Sequence, residues 1–239
     1  TLTLGLFINI SKQVQAQSNS PSLSSVLENA FRPSTPPELV DVFIKGRCPC
    51  LRGRYAPTAI VPASRVGETI ADQPTVFWYM PPVSAEDTLL PGVEFVLEDS
   101  SKQMVFSTQY SLPKLPKGIV ASPSIMNLTF ANSKPLEFGQ EYHWSLSIRC
   151  DSRSPDRSQD DFTEGRFKRV KPDPTLEKRL LQATPSEHVA IYAQAGLWYE
   201  TVDSLLQLRH WYPDDKDLAE AWKTLLTTVG LGDISSEPI

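Results

Sequence analysis

Pro135-Leu-Glu-Phe-Gly-Gln-Glu-Tyr-His-Trp-Ser-Leu-Ser-Ile-Arg-Cys150 decides the reading of this chain. A Gly-containing turn feeds a run in which Tyr142, Trp144, Leu146 and Ile148 share one face. Alternation of that kind, carried by aromatic and branched residues, predicts a strand buried on one side and wet on the other. His143 falls on the wet side. Cys150 closes the run, so the strand carries a thiol to the edge of the core, and Cys48 and Cys50 lie far upstream as candidate partners.

Outward from this strand, residues 46–170 read as all-β. Strands are predicted at Thr58 to Val61, Thr75 to Met80, Val93 to Asp99, Met104 to Leu112, Ile119 to Ala121, Tyr142 to Cys150 and Asp161 to Val170. Thr75-Val-Phe-Trp-Tyr-Met80 is apolar on both faces and should be a central strand. Asp99-Ser-Ser-Lys102 between two strand-like runs reads as a hairpin turn. Prolines number 21 against 11 glycines and recur between the runs, which suits short strands joined by loops. Many short strands at even spacing, over a length close to that of one such domain, predict an immunoglobulin-like β-sandwich.

From Lys171 the apolar period lengthens to that of a helix. Asp173 can cap and Pro174 can occupy the first helical position, followed by Leu176, Leu180 and Leu181. Thr184-Pro-Ser-Glu187 is a capping box that starts a second helix, with Gly196 as its stop. A third runs from Trp198 to His210, and a fourth from Lys216 to Val229 with Leu218, Trp222, Leu225 and Leu226 on one face. The fold class expected is therefore a β-sandwich with a small helical C-terminal unit, α+β overall.

The first residues bear on compartment. Leu2, Leu4, Leu6, Phe7, Ile8 and Ile10 form a short apolar run, and Val14-Gln-Ala16 resembles a small-residue cleavage site. Residues 1–16 are read as a signal peptide clipped at its front, too short to span a bilayer. Residues 17–45, rich in Ser and Pro, are read as a disordered linker. The expected location is extracytoplasmic, with no stable membrane insertion after processing. A formal charge of −5 with 21% charged residues argues against a nucleic-acid surface, which needs a basic face.

In an oxidising compartment a disulfide from Cys48 or Cys50 to Cys150 is expected, leaving one thiol over. A closed loop of about 100 residues stabilises by roughly 4–5 kcal/mol in the chain-entropy account. Cys48-Pro-Cys50 lacks the spacing of a zinc knuckle, and no metal ligand set is assigned.

No nucleophile elbow, phosphate-cradling loop or zinc-protease helix is present, so no catalytic or cofactor-binding residue is assigned. The three histidines, His143, His188 and His210, stand apart in sequence. Asp151, Asp156, Asp160 and Asp161 could bind Ca²⁺, but Arg149, Arg153 and Arg157 compete for them, and a salt-bridged loop is the reading. Arg47, Arg52 and Arg54 read as solubilising charge. Phe77, Trp78, Tyr79, Tyr142 and Trp144 would make a carbohydrate platform only if they faced outward; a sandwich buries them.

Two resemblances add to this. Gln194-Ala-Gly-Leu-Trp-Tyr-Glu200, with Pro213 after the following helix, resembles the turn between the helices of a tetratricopeptide repeat. About one and a half repeats fit, so the pair is expected to pack on the β half and to form no groove of its own. Residues 46–239 resemble a secreted cyanobacterial family known only as a domain of unknown function, DUF928. The resemblance rests on Gly46-Arg-Cys-Pro49, Thr58-Ala-Ile-Val-Pro62, Pro74-Thr-Val-Phe-Trp-Tyr79, Glu94-Phe-Val-Leu97, Gly139 through Cys150, Glu164-Gly165, Ala190-Ile-Tyr-Ala193 and Gly196-Leu-Trp-Tyr199. It implies export and a β front with a helical tail, and it favours Cys48 over Cys50 as the partner of Cys150. The function expected is that of a non-enzymatic interaction or structural module of the cell envelope, with an unidentified envelope protein as partner. The alternative is a carbohydrate-binding envelope domain.

Overall fold

The structure, a computed structural model, describes residues 21–34, 48–84, 89–112, 119–130 and 134–239. The expected signal peptide lies outside these residues. The architecture is α+β. In chain order the elements are α1 (Leu23–Phe31), β1 (Thr58–Ala59), β2 (Val66–Thr69), β3 (Thr75–Met80), β4 (Val83–Ser84), β5 (Gly92–Asp99), β6 (Met104–Ser111), β7 (Ile119–Ala121), β8 (Ser124–Thr129), β9 (Glu141–Arg149) and β10 (Asp161–Arg169). Then come α2 (Pro174–Gln182), α3 (Pro185–Gln194), α4 (Trp198–Trp211), α5 (Lys216–Thr228) and a short 3-10 turn at Gly232–Ile234. No helix among the described residues is long and apolar enough to cross a membrane.

The strands form a five-stranded sheet in the order β2-β10-β9-β5-β6, a three-stranded sheet β1-β3-β8 and the pair β4-β7. All pairings are antiparallel except β2 with β10. β9 alternates as its sequence demands, with Tyr142, Trp144, Leu146 and Ile148 buried. β3 is central in its sheet and buried on both faces from Val76 to Met80. The β5–β6 turn is built by Asp99, whose carboxylate accepts the N–H groups of Ser101 and Gln103, while Lys102 takes a positive φ of 61°. Rings fill the core between the larger sheets: Phe95 stacks on Trp144 within the five-stranded sheet at 5.9 Å, and Phe130, directly after β8, stacks on Phe167 of β10 at 5.9 Å. The N–H of Ala59 in β1 donates to Thr163 Oγ1 in β10 at 2.7 Å, tying the sheets at their margin.

The helices share this core. Trp198 and Tyr199, at the start of α4, lie over β2 and β10. Trp198 Nε1–H donates to the Ile60 carbonyl at 3.2 Å and Tyr199 O–H to the Arg166 carbonyl at 3.0 Å. The contact needs glycine beneath it, because a Cβ at Gly67 would stand 2.7 Å from Tyr199 Cε2 and 3.1 Å from Trp198 Cβ. Glu200 fastens the same edge: its Oε1 accepts from Thr69 Oγ1–H at 2.6 Å, Ile70 N–H at 2.8 Å and Ala71 N–H at 3.1 Å. Caps follow the sequence. Thr184 and Glu187 form the capping box of α3, Asp173 and Asp215 cap α2 and α5, and Gly196 closes α3 at φ +74°.

The linker reading of residues 17–45 is corrected over 23–31. Ser22 accepts the Ser25 N–H as an N-cap, and Leu23, Val26, Leu27 and Phe31 fall on one face of α1. That face docks on α5 and α3; Leu27 is fully buried and Phe31 meets Trp198 edge-on at 4.9 Å. Nine residues with four apolar side chains in register are enough when a preformed helical surface receives them. Val40, Val42, Phe43 and Ile44, an apolar group in the same stretch that by sequence could be a short strand or a docking stub, lie outside the described residues.

Candidate functional site

The feature that concentrates chemistry is a buried cluster of Cys48, Cys50 and Cys150, exposed by 2%, 1% and 7%. Their three sulfurs lie within 4.8 Å of one another, and among the described residues they are the group of side chains placed to hold a metal ion. Cys48 Sγ stands within bonding distance of both other sulfurs, with Cα separations of 5.6 Å to Cys150 and 5.2 Å to Cys50. Both separations suit a disulfide. A divalent sulfur makes one such bond at a time, so the two pairings are alternatives.

Local backbone chemistry assembles the cluster. Cys150 follows β9, and the β9–β10 register sets Ile148 opposite Asp161, so the intervening loop returns two consecutive carboxylates to the strand end. Asp161 Oδ2 accepts the Cys48 N–H at 3.0 Å and Asp160 Oδ1 accepts the Cys150 N–H at 3.3 Å. These bonds clamp two segments 102 positions apart in sequence. Arg149 Nε lies 3.0 Å from Asp160 Oδ2, and Arg157 bridges Asp160 to Glu94. On the other side, Leu51 bridges to Val83 and the Ser84 N–H donates to the Cys50 carbonyl at 2.8 Å. The Cys150 thiol group lies 3.1 Å from the Gln159 carbonyl.

The remaining carboxylates of the loop are occupied by their own neighbours. Hydrogen bonds from the Arg153 guanidinium and its backbone hold Asp151 down to about 2, and the backbone and side chain of Ser158 lower Asp156. Arg52 folds back on the carbonyls of Pro49 and Leu51, and Arg54 lies over the Tyr55 ring at 5.5 Å. His143 sits between Glu164, at 3.0 Å, and Glu98, at 3.8 Å. It pairs with Arg166, five residues along β10 from Asp161, or ~17 Å at ~3.4 Å per residue. His143 and the acidic loop, from which a hydrolase could by sequence have drawn His143, Asp160 and Asp161 together, are therefore held apart. Phe77, Trp78, Tyr79, Tyr142 and Trp144 are all buried and offer no ring face to a sugar.

Cys48 and Cys150, paired in the sequence reading, both lie in this three-sulfur cluster. Cys50, read as a thiol left over, joins them. Its signal was the Cys-Pro-Cys spacing itself, which places both sulfurs on one short turn, with the Leu51 N–H donating to the Cys48 carbonyl at 3.0 Å.

A second feature is the outer edge of β6. β6 ends the five-stranded sheet, and among the described residues no strand pairs with that edge. Its eight residues, Met104-Val-Phe-Ser-Thr-Gln-Tyr-Ser111, carry no charge and no proline. Met104 is 67% and Tyr110 52% exposed, whereas Val105 and Phe106 lean on the core. The opposite edge, β2, is four residues long, contains Glu68 and lies under α4.

No curated protein matches the chain. Among solved structures it aligns with the β-glucuronidase of Parabacteroides merdae, alone and with glycerol in its active site. Identity is 23% over 40% of this chain and 11% of that enzyme, with TM-scores of 0.19 and 0.20. A likeness of that extent carries no argument about fold or activity. Residues 45–239 match the family described as Domain of Unknown Function (DUF928), and the chain belongs to that family.

Proposed function

We propose that this chain is an exported, non-enzymatic interaction module of the cell envelope that receives an extended segment of a partner protein along β6. The observation that carries the reading is the edge of β6, with which no strand pairs among the described residues: eight residues, uncharged and free of proline. Proteins blunt exposed edges with charge, proline or shortness, and this edge has none of the three. An added strand would gain main-chain hydrogen bonds along Met104–Ser111 and side-chain contacts beside Val105 and Phe106.

The β half is read as an immunoglobulin-like arrangement whose larger sheets share one core. Tyr142, at the start of β9, supports it by accepting the Glu137 N–H at 2.9 Å, similar to the tyrosine corner of such domains. A Cys48–Cys150 disulfide suits an oxidising compartment. Polysaccharide binding has weaker support, because the five rings on which it would rest are buried.

The test is Ser107→Lys with Gln109→Lys, both side chains being exposed on β6. Surface changes of this kind should alter stability by less than ~0.5 kcal/mol. Partner recovered from envelope extract by the wild type should fall at least tenfold with the variant. Hydrogen-exchange protection gained on binding should centre on residues 104–111. Equal recovery by both proteins, or protection elsewhere, would refute docking at this edge.

A further inference from the structure

We infer that Cys48 is the shared member of a disulfide with two positions, so that the long-range link to Cys150 exchanges internally with a short link to Cys50. The inference rests on the disulfide part of the reading above and on nothing at β6. Three observations carry it. The three buried sulfurs lie within 4.8 Å of one another, and Cα separations of 5.2 Å from Cys48 to Cys50 and 5.6 Å from Cys48 to Cys150 both suit a disulfide. Cys50 is held in place by backbone bonds independent of any sulfur, through Ser84 and through the Leu51–Val83 bridge. The Gln159 carbonyl, 3.1 Å from Cys150 Sγ, is already placed to accept a thiol proton there, a role it can fill only when Cys150 is unlinked.

The step balances without an external reagent. Cys50 gives its proton to solvent and its thiolate attacks Cys48 Sγ. The Cys48–Cys50 bond forms as the Cys48–Cys150 bond breaks. Cys150 leaves with the bonding pair, takes up a proton and donates it to Gln159 O. One disulfide and one thiol are present before and after. Only the first bond requires two-electron oxidation, by a disulfide-bearing oxidant of the compartment.

Exchange does not release the Cys48 segment, because Asp161 still holds the Cys48 N–H at 3.0 Å. It removes a covalent tie between residues 102 positions apart and replaces it with one spanning two. The thiol set free is that of Cys150, the most exposed of the three. The site is thus a thiol–disulfide exchange centre, and Cys150 is its modifiable thiol.

The experiment uses the full chain exported into an oxidising periplasm, quenched in acid, alkylated and digested without reduction. Mass spectrometry should find Cys48–Cys150 with alkylated Cys50, and Cys48–Cys50 with alkylated Cys150, in molecules of equal total mass. Their interconversion should quicken by about tenfold per pH unit below the pKa of the attacking thiol. Cys50→Ser should show the long link alone, and Cys150→Ser the short link alone. A single Cys48–Cys150 linkage at every pH, with both thiols of a folded Cys150→Ser chain free, would overturn exchange while leaving the disulfide reading intact. Three free thiols would overturn both, as would native mass showing a soft cation held by three unlinked sulfurs. Should Cys150→Ser fail to fold, the wild-type time course decides alone.

Discussion

At the scale of single residues, the helix-to-sheet contact depends on an absent side chain and on a buried carboxyl. Gly67→Ala would force a Cβ against the fully buried Tyr199 and Trp198 rings. Overpacking of this kind costs about 1–3 kcal/mol, which a lowered urea midpoint at unchanged m-value would register. Burial lifts Glu200 above the ordinary glutamate pKa, against the opposing hydrogen bonds from Thr69, Ile70 and Ala71, and among the described residues its Oε2 has no hydrogen-bond partner. The folded state therefore holds the proton more tightly than the unfolded chain. The stabilisation from that proton is complete below the ordinary value of about 4.3 and is lost as pH rises through the folded pKa. Glu200→Gln cannot titrate, so its stability relative to wild type should improve steadily from about pH 4 upward by urea titration. A difference constant across that window would show that Glu200 is not shifted.

At the scale of elements, α1 separates what a composition reading detects from what packing supplies. Its flanks, Ser18-Asn-Ser-Pro21 and Ser34-Thr-Pro-Pro37, read as linker. The four apolar residues between them become a helix because α3 and α5, with Trp198 of α4 against Phe31, offer a surface to receive them. Leu27→Ala should cost about 2–5 kcal/mol in chemical denaturation, since it empties a fully buried site. A loss below ~0.5 kcal/mol would mean that α1 is not docked in solution. β2, β4 and β8 also escape sequence reading. Val66-Gly-Glu-Thr69 has no alternation worth the name and becomes a strand because β10 supplies a parallel ladder. Val83-Ser84 is two residues long, and Ser124-Ile-Met-Asn-Leu-Thr129 mixes its faces, its pairing being set by β3.

At the scale of the whole molecule, one apolar cluster runs from Leu27 through both larger sheets to Trp222 and Ile234. Phe167 of β10 meets Tyr199 of α4 at 5.5 Å within it, so no seam divides the β half from the helical tail. Unfolding should follow one transition, coincident by tryptophan fluorescence and far-UV circular dichroism, because neither half buries its apolar face alone. Two separated transitions would show that the tail is an independent unit.

Local sequence carried the strands whose alternation is clean, the N-caps of α2 and α3 and the change from β to α near residue 171. These are local: period, cap chemistry and turn residues act within a few positions of one another. The pairing of Cys150 was left open between Cys48 and Cys50 by the residues themselves, and only the resemblance favoured Cys48. Only the fold in three dimensions decided that α1 is a helix, that β2 joins β10 in parallel, that β6 ends its sheet among the described strands, and that Cys50 completes a three-sulfur cluster. Each depends on surfaces brought together from opposite ends of the chain, and spacing along a sequence carries no record of which sulfur, strand or apolar face arrives opposite which.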